Sequence, residues 1–300
     1  MGALDGRVAI ITGAGRGLGR EHALLFAREG AAVVVNDLGG AADGSGSDAT
    51  PAQQVVEEIT AAGGRAVANA DDVTDAVGAR RLVEQAIAEF GALHVLVNNA
   101  GILRDRTIIN MTDAEWDDVI KVHLRGHFMP LRAAAGYWRQ QHKNGVDLKP
   151  AVINTTSTSG LYNNPGQSNY GSAKAGIATL TIIAQQELAR YGVRANAIAP
   201  AARTRLTEGS PGTSGGMKKP AGEAFDAMDP ANVAPFVAYL ATEDCPIKGR
   251  VFFVAGGGVH LFQPFAIVDA ISKDGRWTVE ELAKEAARFA DVPFHLGNPF

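Results

Sequence analysis

The chain is 300 residues long, 46% hydrophobic and 20% charged, with 28 basic against 32 acidic residues and a net charge of −4. That composition excludes a wholly disordered chain, and the near balance of charge gives no support to a nucleic-acid or polybasic membrane surface. No apolar run reaches the roughly 18 residues of a membrane span. The single cysteine, Cys245, excludes an internal disulfide and a cysteine-based zinc site, so no metal is expected. The first residues lack a charged-then-apolar signal pattern, and a cytoplasmic location is the expectation.

The elements alternate along the chain. Residues 7–12 read RVAIIT, a short β-branched strand, followed by glycines and a helical stretch to about Arg28. Residues 31–36 (AAVVVN) form a second strand, and 39–48 a Gly/Ser/Asp-rich loop. Pro51 opens a helix whose apolar face is Val55, Val56 and Ile59. A weaker strand at 66–70 precedes a helix over 75–90, then a strand at 93–98. Thr112 with Glu115 predicts a capping box and a long helix over 112–141. Strand 151–155, helix 168–190, strand 193–198 and a last strand at 251–255 complete the alternation. Residues 204–230 are irregular and read as a lid over a substrate; residues 259–300 read as a C-terminal extension. Thr278 and Glu281 predict a second capping box, with Leu282, Ala286 and Phe289 on one helical face.

Strands separated by helices argue for βαβ units, and uniformly apolar strands for a sheet covered on both faces. The expected fold is α/β: one Rossmann-type, doubly wound parallel sheet with helices on both faces, spanning residues 1–258.

Thr12 to Gly19 reads TGAGRGLG between a strand and a helix. Gly13, Gly17 and Gly19 allow a tight turn and the approach of a pyrophosphate to the helix N-terminus, with Arg16 and Leu18 in the same loop. Asp37 ends the second strand, eighteen residues after Gly19, where a carboxylate bonds the adenosine ribose hydroxyls. A 2′-phosphate at about 5 Å from it costs about 3 kcal/mol per charge pair at an effective dielectric of 20. NAD is therefore expected over NADP, although Arg16 offsets part of that repulsion.

Tyr170 and Lys174 form Y-x-x-x-K on one face of a helix, with Ser157 thirteen residues before Tyr170 and NNAG at residues 98–101. Ser159 is the alternative to Ser157. Together with TGAGRGLG, these motifs resemble the short-chain dehydrogenase/reductase family over most of the chain. The resemblance implies that Tyr170 is the catalytic acid/base, that Lys174 bonds the nicotinamide ribose and lowers the tyrosine's pKa, and that Ser157 binds the reacting oxygen. It implies further that Asn99, Ala100, Gly101, Asp72 and Val73 line the adenosine side. A free tyrosine titrates near 10, so a neighbouring ammonium is what makes it a usable base.

Two positions depart from the family pattern. His123 stands where an asparagine often supports a proton relay, and a histidine is able to titrate near neutral pH. Pro200-Ala201 replaces Pro-Gly, with the Pro200 backbone still expected at the nicotinamide carboxamide. Residues 33–40, 55–69, 98–107 and 121–128 resemble more closely the (3R)-hydroxyacyl-CoA dehydrogenase domain of the peroxisomal multifunctional enzyme type 2 group, in which that histidine also occurs. This implies NAD-dependent oxidation of a 3-hydroxyacyl-CoA or a hydroxysteroid. The competing readings are an NADPH-dependent 3-oxoacyl reductase and a non-catalytic dinucleotide-binding scaffold. Helices 112–141 and 168–190 carry more apolar surface than one sheet face covers, and the resemblance implies that they pair between subunits. A homodimer or homotetramer is expected, with the tail helix packed on its own or a neighbouring subunit.

Overall fold

The first two strands are β-branched and buried on both sides, and each is followed by a helix that covers one side. The computed structural model describes residues 2–208, 219–220, 225–263 and 265–292. Strand β1 (Val8–Thr12) leads to α1 (Gly17–Arg28), β2 (Ala32–Asn36) to α2 (Thr50–Ala61), and β3 (Arg65–Asn69) to α3 (Ala76–Phe90). Then come β4 (Val95–Asn98), α4 (Asp113–Ile120), a π-turn at Lys121–Arg125 and α5 (Gly126–Lys143). Strand β5 (Ala151–Thr155) is followed by the short α6 (Thr158–Tyr162), α7 (Ser168–Leu188) and β6 (Arg194–Ala201). The chain continues through α8 (Arg205–Glu208), α9 (Ala234–Ala241), β7 (Val251–Ala255), β8 (Gly258–Phe262) and α10 (Val279–Glu285).

The strands form one sheet in the order β3-β2-β1-β4-β5-β6-β7-β8, parallel except for β8. Side-chain alternation divides it into two cores. Ile11, Val33, Val35 and Val97 face one layer, with Phe26 of α1, Ile59 of α2 and Leu240 of α9. Ile10, Val34, Leu96 and Val152 face the other, with Leu82 of α3 and Leu131 and Trp138 of α5. Each such fully buried side chain contributes about 1.5–3 kcal/mol relative to exposure. The chain reverses its winding between β1 and β4, and in such sheets the crevice outside the strand C-termini at that point is where ligands bind.

The doubly wound sheet agrees with the sequence reading; three details differ from it. Residues 258–262, assigned to the extension apart from Gly258, form an antiparallel edge strand returning through the turn at Gly256-Gly257, where Gly256 has φ +52°. The long helix at 112–141 has its Thr112–Glu115 capping box but is interrupted by the π-turn, which helical periodicity cannot reveal. Strand β6 runs on to Ala201, so Pro200 lies in a strand beyond the last residue paired with β5. Of the expected lid, residues 209–218 and 221–224 lie outside the described residues. The Thr278 capping box is present, and Leu282 and Phe289 of that tail remain about two-fifths exposed. Among the described residues no helix is long and apolar enough to cross a membrane.

His22 on α1 is fully buried, and neither ring nitrogen has a hydrogen-bond partner among the described residues. Burial holds its pKa down to about 3. Below the ordinary value near 6.5, the unfolded chain binds a proton that the folded chain refuses, so this site removes stability as pH falls from about 6.5 toward 3. His22→Leu should therefore gain on the parent by up to about 1.4 kcal/mol per pH unit over that window. Melting curves at pH 7.5 and 4.5 check this; a difference between variant and parent that stays constant with pH contradicts it.

Candidate active site

The turn after β1 is built by steric exclusion. Gly13 has φ +61°, and a Cβ on it would stand 2.7 Å from the Ala100 Cα at the end of β4. A Cβ on Gly19 would stand 2.2 Å from the Gly13 carbonyl oxygen, so α1 rests directly on the turn. The Asn99 side-chain amide donates to the carbonyls of Thr12 and Gly13, both at 3.1 Å, and Thr12 Oγ1 accepts from the Asn99 and Ala100 N–H groups. The N-cap Arg16 makes no side-chain cap bond and the first turn of α1 carries no acid, so its N-terminal N–H groups remain available to an anion.

Gly13, Arg16, Gly17, Leu18 and Asp37 line one cleft together with Asp72, Val73, Asn99, Ala100 and Gly101. Gly19 is buried behind the turn and acts through packing. Pro200 does not line this cleft; it lies near the C-terminal end of β6. The Asp37 carboxylate accepts from Gly15 N–H and Gly39 N–H, each at 2.7 Å, which fixes its orientation at the cleft wall. Asp72 Oδ1 accepts from Thr74 N–H at 2.8 Å, which turns the chain so that Val73 forms the floor. A glycine turn, a bare helix N-terminus and a carboxylate at the end of β2 are the donor and acceptor set that a dinucleotide requires, so the residues present fit such a cofactor.

The second half of the site lies at the ends of β5 and α7. Ser157 caps α6, its Oγ accepting from Ser159 N–H at 3.1 Å, and its hydroxyl interacts with the Tyr170 phenol. Ser159, the alternative, is buried, and its hydroxyl donates to Gln167 Oε1 at 2.7 Å, committing it to the loop. Lys174 stands one turn beyond Tyr170, with Nζ 5.4 Å from the ring centroid. His123 meets the same ring edge-on at 5.0 Å. A Cβ on Gly101 would lie 2.3 Å from His123 Cε1, so the cleft and this cluster are contiguous. The structure thus brings Ser157, Tyr170, Lys174 and His123 together.

The electrostatics differ from the simple expectation. Lys174 is 2% exposed, donates to the Thr155 carbonyl at 2.6 Å, and is pushed down to about 7 by burial. Burial raises Tyr170 to about 12, opposed by its interaction with Ser157. Desolvation outweighs the expected downward pull of Lys174, and Tyr170 is a phenol at neutral pH. His123 is held well below its ordinary range, first by burial and then by Lys174. Its Nε2 lies 2.7 Å from the Ile102 carbonyl oxygen and 3.1 Å from the Ile102 amide nitrogen, so the Ile102 backbone holds that edge of the ring. The possibility of titration near neutral pH is therefore overturned: His123 is a neutral ring.

The profile of the short chain dehydrogenase family matches residues 7–210. The chain belongs to that family. A hydroxyacyl-CoA dehydrogenase of Mycobacterium tuberculosis is 44% identical over 93% of this chain and 87% of its own length. The peroxisomal multifunctional enzyme type 2 of Drosophila melanogaster is 44% identical over 98% of this chain, which spans 47% of that larger enzyme. A crystal structure of a short chain dehydrogenase from Mycobacterium avium superposes with a TM-score of 0.85 at 46% identity, covering 99% of this chain and 98% of that one. As a short-chain dehydrogenase, the chain is an oxidoreductase acting on CH–OH groups with a nicotinamide cofactor.

The sequence reading gave no supporting role to three asparagines, of which Asn98 entered only as the first residue of NNAG. Asn98 donates to Asn154 Oδ1 at 2.9 Å, and Asn154 to Thr181 Oγ1 at 2.9 Å, tying β4, β5 and α7 together beneath the cluster. Asn169 accepts from Tyr170 N–H and donates to the carbonyls of Arg104 and Glu115, which fixes the first turn of α7. The available signal was an asparagine closing an apolar strand, a position that residue seldom takes without a bonded role.

Proposed function

We propose that the chain oxidises a secondary alcohol, a 3-hydroxyacyl-CoA or a hydroxysteroid, with NAD, and that Tyr170 is the acid/base. The observation that carries the NAD reading is the Asp37 carboxylate at the cleft wall, oriented by two backbone N–H groups. The acyl-CoA reading is supported by the relative named a hydroxyacyl-CoA dehydrogenase, which matches over most of both chains. On this reading residues 204–230 cover the substrate.

The chemistry follows from the cluster. Ser157 holds the alcohol oxygen next to Tyr170. The oxidised dinucleotide, when bound, accepts the hydride from the carbinol carbon and brings a positive ring that favours the Tyr170 phenolate. Tyr170 takes the hydroxyl proton as the C–H bond breaks, leaving a ketone. Lys174, whose Nζ donates to the Thr155 carbonyl, would bond the ribose of the bound cofactor and offer charge to the phenolate. His123 braces the Tyr170 ring through its contact and holds the Ile102 backbone. We also propose assembly into a dimer or tetramer through α4, α5 and α7, on which Trp116, Phe128 and Ile183 are each 40–45% exposed.

Absorbance at 340 nm with a panel of 3-hydroxyacyl-CoA and hydroxysteroid substrates should show turnover with NAD in preference to NADP. Asp37→Ala should narrow that preference by at least about tenfold in kcat/KM, because the ribose bonds and the repulsion of a 2′-phosphate go together. A wild-type preference for NADP contradicts the cofactor reading. Light scattering at micromolar concentration should give at least twice the chain mass, and a monomeric mass contradicts the assembly.

A further inference from the structure

Arg205 is the fourth residue after β6 and comes 165 residues later than the Gly40 it touches. Its guanidinium donates to the Gly40 carbonyl oxygen at 3.2 Å. Arg16 reaches the same oxygen at 3.5 Å from the N-terminus of α1. Both arginines line the cleft that contains Gly13, Gly17 and Asp37. Thr204, beside Arg205, packs over the glycine turn, since a Cβ on Gly17 would meet its Cγ2 at 3.5 Å.

Two like charges thus converge on one neutral acceptor. Neither forms an ion pair among the described residues; Asp48 feels the charge of Arg16 without pairing with it, and the Asp37 carboxylate on the cleft wall is engaged by Gly15 and Gly39. A single carbonyl oxygen engages few of the ten guanidinium N–H donors of such a pair, and both side chains are exposed, which leaves the rest open to solvent or to a ligand. The partner that satisfies two convergent guanidinium groups beside a bare helix N-terminus is a phosphoryl group, which offers several anionic oxygens in fork geometry.

We propose that Arg205, paired with Arg16, is a phosphate ligand of the dinucleotide, with the Gly40 carbonyl as its resting partner. Arg205 thereby ties the residues just after β6, with Thr204 already over the glycine turn, to the cofactor. The inference rests on the dinucleotide reading of the cleft. The shared chemistry is a phosphate on the adenosine half of the molecule, either the pyrophosphate common to both cofactors or the 2′-phosphate of NADP.

Calorimetric titration of the full chain with adenosine, ADP and adenosine 2′-phosphate separates these sources without turnover. In Arg205→Gln, affinity for at least one phosphorylated ligand should fall about tenfold, while adenosine stays within about twofold and the melting temperature is unchanged. Arg205→Lys should retain part of the affinity. A loss confined to ADP assigns the diphosphate, and a loss confined to adenosine 2′-phosphate assigns the 2′ position. Equal phosphate affinities in parent and Arg205→Gln, or an equal loss for adenosine, overturn the role of Arg205 and leave the cleft's dinucleotide reading intact. A parent chain that binds none of the three, nor NADH, overturns both.

Discussion

The site depends on one close approach: the glycine turn after β1 lies against the end of β4 with no room for a side chain. Gly13 abuts Ala100, Gly19 abuts Gly13, and Asn99 closes the gap with two amide bonds. The approach exists because β1 and β4 are neighbours at the point where the sheet reverses its winding. It leaves the α1 N-terminus bare at the cleft. It also carries Gly101 against His123, and His123 against Tyr170. A packing constraint between two loops therefore sets the distance between the cleft and the Tyr170 hydroxyl.

The second constraint is desolvation. Lys174, His123 and His127 share a buried region behind Tyr170, and burial is the largest influence on the pKa of each. Both histidines are neutral, and Lys174 sits near the middle of its titration at pH 7. The same dry surroundings make an added charge count for more than it would in water. A charge brought next to the Tyr170 phenol would therefore shift its proton more than the same charge would in water.

Fold class was legible because it rests on local patterns, and so do the motifs whose residues the structure gathers at one cleft and one cluster. Apolar strands at βαβ spacing, glycines between a strand and a helix, and a tyrosine and lysine one turn apart are all short-range signals. The π-turn at Lys121–Arg125 was not legible, because its extra residue leaves the apolar spacing nearly unchanged. The edge strand β8 was hidden by its exposed Val259 and Leu261 and by the glycines before it. The asparagines beneath the cluster were overlooked because their partners lie 27 to 56 residues away in the chain. Arg205 carries no motif, and only the fold brings it beside Arg16. The pKa values were misjudged because proximity is visible in a spacing whereas burial is not.

The claim on which the account turns is that the Tyr170 hydroxyl moves the proton. Tyr170→Phe keeps the ring against His123 and removes only the phenolic oxygen. The account predicts a fall in kcat of about 10²- to 10⁴-fold, with NADH affinity within a few-fold of the parent. Turnover close to that of the parent would contradict it.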